Sequence, residues 1–159
     1  MSERDSVIIR PALIGDVPAM AEIINAFAAQ QIMLPRSQFQ FYQHVRDFTV
    51  LEHDGEVIGC GALQFVWADM AEIRSLAIKS EWQKKGLGRL LVDHLLDEGR
   101  EHRVPRVFCL TYQDGFFASV GFYVVPRDSL PHKIWGDCLN CPKYPACDEI
   151  AMMINLNEE

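Results

Sequence analysis

The chain has 159 residues, enough for one domain with a substantial core, and its 49% hydrophobic and 23% charged residues are ordinary globular composition. A formal charge of −7 argues against a nucleic acid or an anionic membrane as partner. The polar start, Met1 to Ser6, has no apolar signal core, and no uninterrupted apolar run could span a bilayer, so the expected location is the cytoplasm.

Val7-Ile8-Ile9 reads as a first short strand. Asp16 offers an N-cap and Pro18 sits early, where a missing N–H costs least. The following helix buries a stripe of Val17, Met20, Ile23, Ile24 and Phe27. A second short helix is expected from a Ser37 cap through Phe41 to Val45. Between the two, Ile32 to Ser37 is a surface connection, because Pro35 disfavours helix at Leu34. Phe48 to Glu52, Asp54-Gly55 and Val57 to Phe65 predict a hairpin with a type I′ turn. Met70 to Lys79 supplies the next strand. Later strands are expected at Val107 to Thr111, Tyr123 to Val125 and Ile150 to Ile154. Pro126 to Asp148, with four prolines, is a loop long enough to mark it as functional. There are no repeats, linkers or low-complexity segments, and the reading is a single mixed α/β domain over residues 1–159.

The stretch from Arg74 to Arg89 carries the strongest chemical signal. An apolar strand, Ile73 to Ile78, breaks through Lys79-Ser80-Glu81 and delivers Gln83-Lys84-Lys85-Gly86-Leu87-Gly88 to a new helix. That helix is legible from Leu87, Leu90, Leu91 and Leu95. A helix start leaves backbone N–H groups without partners and carries the positive end of the macrodipole. Glycines at 86 and 88 let an anion approach that backbone, while Lys84, Lys85 and Arg89 add positive charge. The pattern reads as a phosphate cradle; the competing reading is a plain strand-to-helix turn.

The run Gln83-x-x-Gly86-x-Gly88, after an apolar strand and opening an amphipathic helix, resembles the pyrophosphate-binding signature of the GNAT acyltransferase superfamily. Downstream, Phe108-Cys109-Leu110-Thr111 and then Phe116 to Phe122, closing on Gly121-Phe122, look like that family's next strand and short helix. The resemblance covers about the central third of the chain. It implies a mostly antiparallel mixed sheet flanked by helices, and acetyl-CoA as co-substrate. Its pyrophosphate would lie on Gln83, Lys84, Lys85, Gly86, Leu87, Gly88 and Arg89. Its pantetheine arm would run along the backbone of Leu76, Ala77 and Ile78, where a strand N–H would polarise the thioester carbonyl.

Acyl transfer to an amine needs a bound thioester, removal of an ammonium proton and a stabilised leaving thiolate. Glu72 begins the strand before the cradle and matches the position of a glutamate that acts as base in many family members. With Ile73 and Ser75 on one side, Glu72, Arg74 and Leu76 face the other. The alternatives for Glu72 are a solvated carboxylate or an ion pair with Arg74. Much of the superfamily carries a tyrosine acid ahead of Gly-Phe, but this sequence has Phe117 there. Tyr112 is the nearest substitute and Ser119 a weaker one; burial of Tyr112 as a structural residue is the competing reading.

Arg36, Arg74 and Lys133 are candidate acceptor-binding cations, since arginine grips carboxylates through a planar two-donor fork. Solvated surface charge is the alternative. Together with Phe-x-Leu-Thr and the Leu130-Pro131 start of the long loop, they look like the acetyltransferase domain of N-acetylglutamate synthases. That resemblance implies transfer of acetyl to the amine of L-glutamate, the entry step of arginine biosynthesis. The amino-acid kinase domain of many members is not expected within 159 residues, so arginine feedback through it is not assumed.

The five cysteines divide into two kinds. Cys60 and Cys109 lie in apolar runs, as small buried hydrophobes do. Cys138, Cys141 and Cys147, with His132, could complete a tetrahedral zinc site or be three reduced thiols in a proline-stiffened loop. Such a zinc would be structural, because the transfer chemistry needs no metal, and no metal ligand is assigned. The expected partner is a small-molecule substrate; a homodimer is left open. Rival readings are an acetyltransferase for another amine (another amino acid, a polyamine or a protein N-terminus) and a non-catalytic module that binds CoA or a partner protein.

Overall fold

In the computed structural model the described residues are 6–29, 37–126, 130 and 150–156. The elements are β1 (Ile8–Pro11), α1 (Val17–Ala29), α2 (Gln38–Gln43), β2 (Phe48–His53), β3 (Glu56–Trp67), β4 (Met70–Ile78), α3 (Leu87–Glu101), β5 (Arg106–Thr111), α4 (Asp114–Ser119), β6 (Tyr123–Val124) and β7 (Ile150–Asn155). The sheet has seven strands in the order β1-β2-β3-β4-β5-β7-β6. β1–β2, β2–β3, β5–β7 and β6–β7 pair antiparallel, and β4–β5 pairs parallel. The mixed, mostly antiparallel sheet flanked by helices is thus as expected. Among the described residues no helix is long and apolar enough to cross a membrane.

The chain divides into two compact units, Met1–Leu63 with Ile73–Glu98, and Gln64–Glu72 with Gly99–Glu159. In the first, Val17, Met20, Ala21, Ile23 and Ile24 of α1 are buried against Phe41 of α2, Phe48 and Val50 of β2, and Cys60 and Ala62 of β3. Phe41 and Phe48 lie with ring centroids 5.4 Å apart. Burying a side chain of this size contributes about 1.5–3 kcal/mol. The opposite face of the same strands receives α3. A β-carbon on Gly61 would come within 2.9 Å of Leu76 Cδ1 and 3.3 Å of Leu95 Cδ1, so glycine here lets both leucines pack close on the backbone. Along α3 the buried set is Leu87, Leu91, Val92, Leu95 and Leu96; Leu90, expected in the stripe, is only half-buried.

Local chemistry explains the ends of these elements. Ser37 caps α2 as expected: its hydroxyl accepts from the Gln40 N–H at 3.2 Å while Gln40 Oε1 accepts from the Ser37 N–H at 3.0 Å. The helix stops at Gln43, before Val45, which opens a separate 3-10 turn. Asp54 and Gly55, at φ 50 and 81, form the left-handed pair that a type I′ hairpin demands. Asp16 closes a 3-10 turn, Ile14–Asp16, rather than capping α1 in the simple way expected. Its carboxylate accepts from the Leu13 N–H at 2.8 Å and from Arg10 Nη1 and Nη2 at 2.7 and 3.0 Å. Arg10 also donates from Nε to Glu52 Oε1 at 3.1 Å, fastening β1 to β2. The Arg10 hydrogen bond holds the Asp16 carboxyl below its ordinary value, and the same bond raises Arg10.

In the second unit Met70, Phe108, Leu130, Ala151 and Met153 form the core, with Val66, Leu110 and Val125 packed on it. Phe117 meets Phe116 and Phe122 edge-on, each at 5.1 Å between centroids. Arg106 Nη2 reaches Asp69 Oδ2 at 2.7 Å, joining the start of β5 to the β3–β4 turn.

Candidate active site

Within the first unit, β4 runs into the cradle with one irregularity. Ser75 has φ 56, a left-handed conformation uncommon for a residue other than glycine, and its carbonyl faces the Cys60 thiol at 3.8 Å. The strict alternation expected from Glu72 to Leu76 is therefore interrupted at Ser75. Such breaks re-aim the strand that follows and are frequent beside functional sites. Of the pantetheine candidates, Leu76 is half-buried while Ala77 and Ile78 are buried.

The chain then makes a 3-10 turn, Ser80–Trp82, in which the Trp82 N–H donates to the Lys79 carbonyl at 2.8 Å. The Gln83 side-chain amide donates back to the Ile78 carbonyl at 3.0 Å, so this residue ties the loop to the strand end. Lys84 and Gly86 both take left-handed backbone, at φ 64 and 80, with Lys85 between them. Alternation of this kind turns successive N–H groups toward one concavity, which suits an anion. The Leu90 N–H donates to the Gly86 carbonyl at 3.1 Å as the helix opens, so the N–H groups just before Leu90 have no helical partner. Lys84, Lys85 and Arg89 are exposed around this start. Arg89 Nε lies 4.0 Å from Asp93 Oδ2, an exposed ion pair too long for a hydrogen bond. Strand, loop and helix thus bring residues 83–89 into one turn with left-handed backbone at Lys84 and Gly86.

Glu72 and Tyr112 both belong to the second unit. Glu72 is 9% exposed and pairs in register with Phe108 of β5, which removes the solvated alternative. A carboxylate so enclosed is retained at a cost and needs polar company. Tyr112 follows directly on β5 and is half-buried. Its turn is pinned by the buried Thr111, whose hydroxyl accepts from the Gln113 N–H at 2.7 Å. Ser119 donates its hydroxyl to the Phe116 carbonyl at 2.5 Å, a bond internal to α4 that weakens its case as an acid. Phe117 is buried among aromatic rings and has no proton to give.

Of the acceptor cations, Arg74 is half-buried on β4. Arg36 and Lys133 lie outside the described residues, as do His132, Cys138, Cys141 and Cys147. Cys60 and Cys109 are buried, as expected. Among the described residues no cluster of three or more His, Cys, Asp or Glu side chains could hold a metal ion. The sequence reading did not find Ser75, whose φ nothing in its residue type announces. It also passed over Trp82, although an aromatic residue directly before the cradle was visible.

The pattern of the Acetyltransferase (GNAT) family matches residues 18–124. An uncharacterized N-acetyltransferase of Chlorobaculum tepidum is 45% identical over 148 residues, covering 93% of this chain and 96% of that protein. An amino-acid acetyltransferase of Mycobacterium tuberculosis is 38% identical over 118 residues, covering 72% of this chain and 67% of that protein. Among solved structures, the N-acetylglutamate synthase of Neisseria gonorrhoeae, complexed with coenzyme A and N-acetyl-glutamate, superposes with a TM-score of 0.87 at 34% identity. That match covers 96% of this chain but only 35% of the synthase chain.

Proposed function

The chain belongs to the acetyltransferase (GNAT) family, and from that premise we propose that it moves acetyl from acetyl-CoA to the amine of L-glutamate. It is an acyltransferase, and its curated relatives place its acceptors among amino acids. The observation that carries the reading of the cofactor site is the left-handed Lys84–Gly86 loop at the start of α3, ringed by Lys84, Lys85 and Arg89. An acidic chain that gathers positive charge where a helix opens offers a fitting seat to a pyrophosphate. The gonococcal synthase, similar over nearly all of this chain, was solved with coenzyme A, which supports the same cofactor here. Its N-acetyl-glutamate supports glutamate over other amino acids.

In the proposed reaction the whole chain, 1–159, acts as one acetyltransferase domain. The pyrophosphate sits on residues 83–89, and the pantetheine arm follows the backbone of Leu76, Ala77 and Ile78. Glu72 takes a proton from the α-ammonium, directly or through a water. The freed amine attacks the thioester carbonyl, and a β4 backbone N–H stabilises the oxyanion. The nitrogen gives up its remaining excess proton to solvent, and the tetrahedral intermediate collapses with cleavage of the C–S bond. The thiolate takes a proton from Tyr112, leaving CoA and N-acetylglutamate, the entry to arginine biosynthesis. Arg74, with Arg36 and Lys133, pairs with the acceptor carboxylates.

Free-thiol release from acetyl-CoA across a panel of amino acids and amines tests this reading. Strong release with L-glutamate is expected, with aspartate slower by about 10–200-fold for its missing methylene. Release with a polyamine alone would keep the cofactor site and discard the glutamate reading. CoA binding with no release from any amine would favour a binding module.

A further inference from the structure

We infer that Trp82, stacked on His53, is the positioning residue that holds the Lys84–Gly86 loop in its anion-binding shape before any ligand arrives. The inference rests on the reading of that loop as the pyrophosphate seat of acetyl-CoA. It adds a residue that neither the glycine pattern nor the cluster of cations contains.

Lys84 is the point of departure. A side-chain-bearing residue at φ 64 persists only where its surroundings over-determine it. Downstream, Gly86 relaxes readily and α3 begins. Upstream, two links fix the chain: the Gln83 amide to the Ile78 carbonyl, and Trp82 itself. The Trp82 ring lies 4.6 Å from the His53 ring, centroid to centroid, with the planes inclined at 53°. Across the same indole, Lys85 Nζ stands 5.8 Å from the ring centroid, within reach of a cation–π contact. The indole therefore touches the loop through Lys85 and the sheet through His53.

His53 is itself well placed to serve as an anchor. It is the last residue of β2, in register with Glu56, the first residue of β3. Glu56 accepts a 2.8 Å hydrogen bond from Lys79, the residue just ahead of the 3-10 turn. The end of the hairpin thus grips the cradle approach at two points, Lys79 and Trp82. Trp82 is half-buried, and its ring contacts are to a strand end on one side and to the loop on the other. Without the indole, Lys85 loses the contact that holds the chain beside the left-handed turn at Lys84. The loop would then have to be ordered by the ligand, and the cost would appear as weaker binding.

The experiment measures CoA affinity by calorimetry and steady-state kinetics for the wild type, Trp82→Ala, Trp82→Phe and His53→Ala. Trp82→Ala is expected to raise the CoA Kd and the acetyl-CoA KM about tenfold, and His53→Ala about threefold, as loss of one aromatic contact implies. In both, kcat and the acceptor KM should hold, and Trp82→Phe should recover most of the affinity. An unchanged Kd in Trp82→Ala overturns the inference. So does a parallel loss of kcat, acceptor affinity and melting temperature that Trp82→Phe shares. Should Trp82→Ala fail to fold, His53→Ala decides, and an unchanged Kd there overturns it. If the wild type binds no CoA, the pyrophosphate reading itself has failed, an outcome distinct from a wild type that binds and variants that bind equally well.

Discussion

Two connections in this chain follow the same plan, strand to turn to helix, and have different parts to play in the proposed reaction. Between β4 and α3 the turn contains two left-handed residues, Lys84 and Gly86, and opens a 15-residue helix. Between β5 and α4 there is no such residue, a threonine hydroxyl pins the turn, and the helix has six residues. The first offers backbone N–H groups and an aligned helix dipole, which suit a large, diffuse anion. The second has little dipole to give and presents a side chain, Tyr112, instead. A cofactor handle can be held by backbone, but a proton must travel on a particular side-chain atom.

Substitutions can break this contrast or sharpen it. The largest effect is expected from Glu72→Gln, which keeps shape and removes the base: kcat should fall about 10²–10⁴-fold. CoA binding, followed by calorimetry, should be unchanged, and a kcat within a fewfold of wild type would remove Glu72 from the reaction. Tyr112→Phe should lower kcat about tenfold to a hundredfold, near the low end of general-acid effects because water can also protonate a thiolate. Its signature is a loss that shrinks as pH falls. Gly86→Ala forces a β-carbon into a left-handed position and should raise the acetyl-CoA KM about tenfold while kcat holds. Were kcat to fall instead, the division between backbone and side-chain sites would collapse.

The smallest effect is expected outside both connections. Asp16→Asn should remove about 1 kcal/mol of stability at neutral pH, read from urea unfolding, without touching turnover. Asp16 is held below its ordinary value by Arg10, so the folded state binds fewer protons there than the unfolded one. Its stabilisation is complete above the unfolded carboxylate value, about pH 4, and is lost as pH falls through the lower folded value. The gap between wild type and variant should therefore narrow below about pH 4.

Much of the fold could be read because local signals agreed with one another. Asp54-Gly55 required left-handed backbone and found it, and Ser37 three residues before Gln40 formed its capping box. α4 begins at Asp114, two residues ahead of the Phe-rich run, because the Gln113 carbonyl accepts from the Phe117 N–H and starts the turn without an apolar signal. The Asp16 reading missed Arg10, a partner six residues away whose approach depends on β1. At the site the contrast is similar. Glycine spacing and positive charge exposed the cradle, since backbone geometry writes itself into residue type. Ser75 could not be found this way, because serine has no marked preference for the left-handed backbone it adopts. Burial of Glu72 likewise depends on its pairing with Phe108, 36 positions later in the sequence.

Gly61 has a reach beyond its own strand. Leu91 and Leu95 of α3 lie 3.5 and 3.3 Å from where its β-carbon would be, so the helix rests on bare β3 backbone. One added methyl at residue 61 would press Leu95 by a few tenths of an ångström, on the helix whose N-terminus carries the Lys84–Gly86 turn. The seating of α3 thus answers to a residue that carries no charge, offers no side chain and lies some 25 positions ahead of the turn at Gly86.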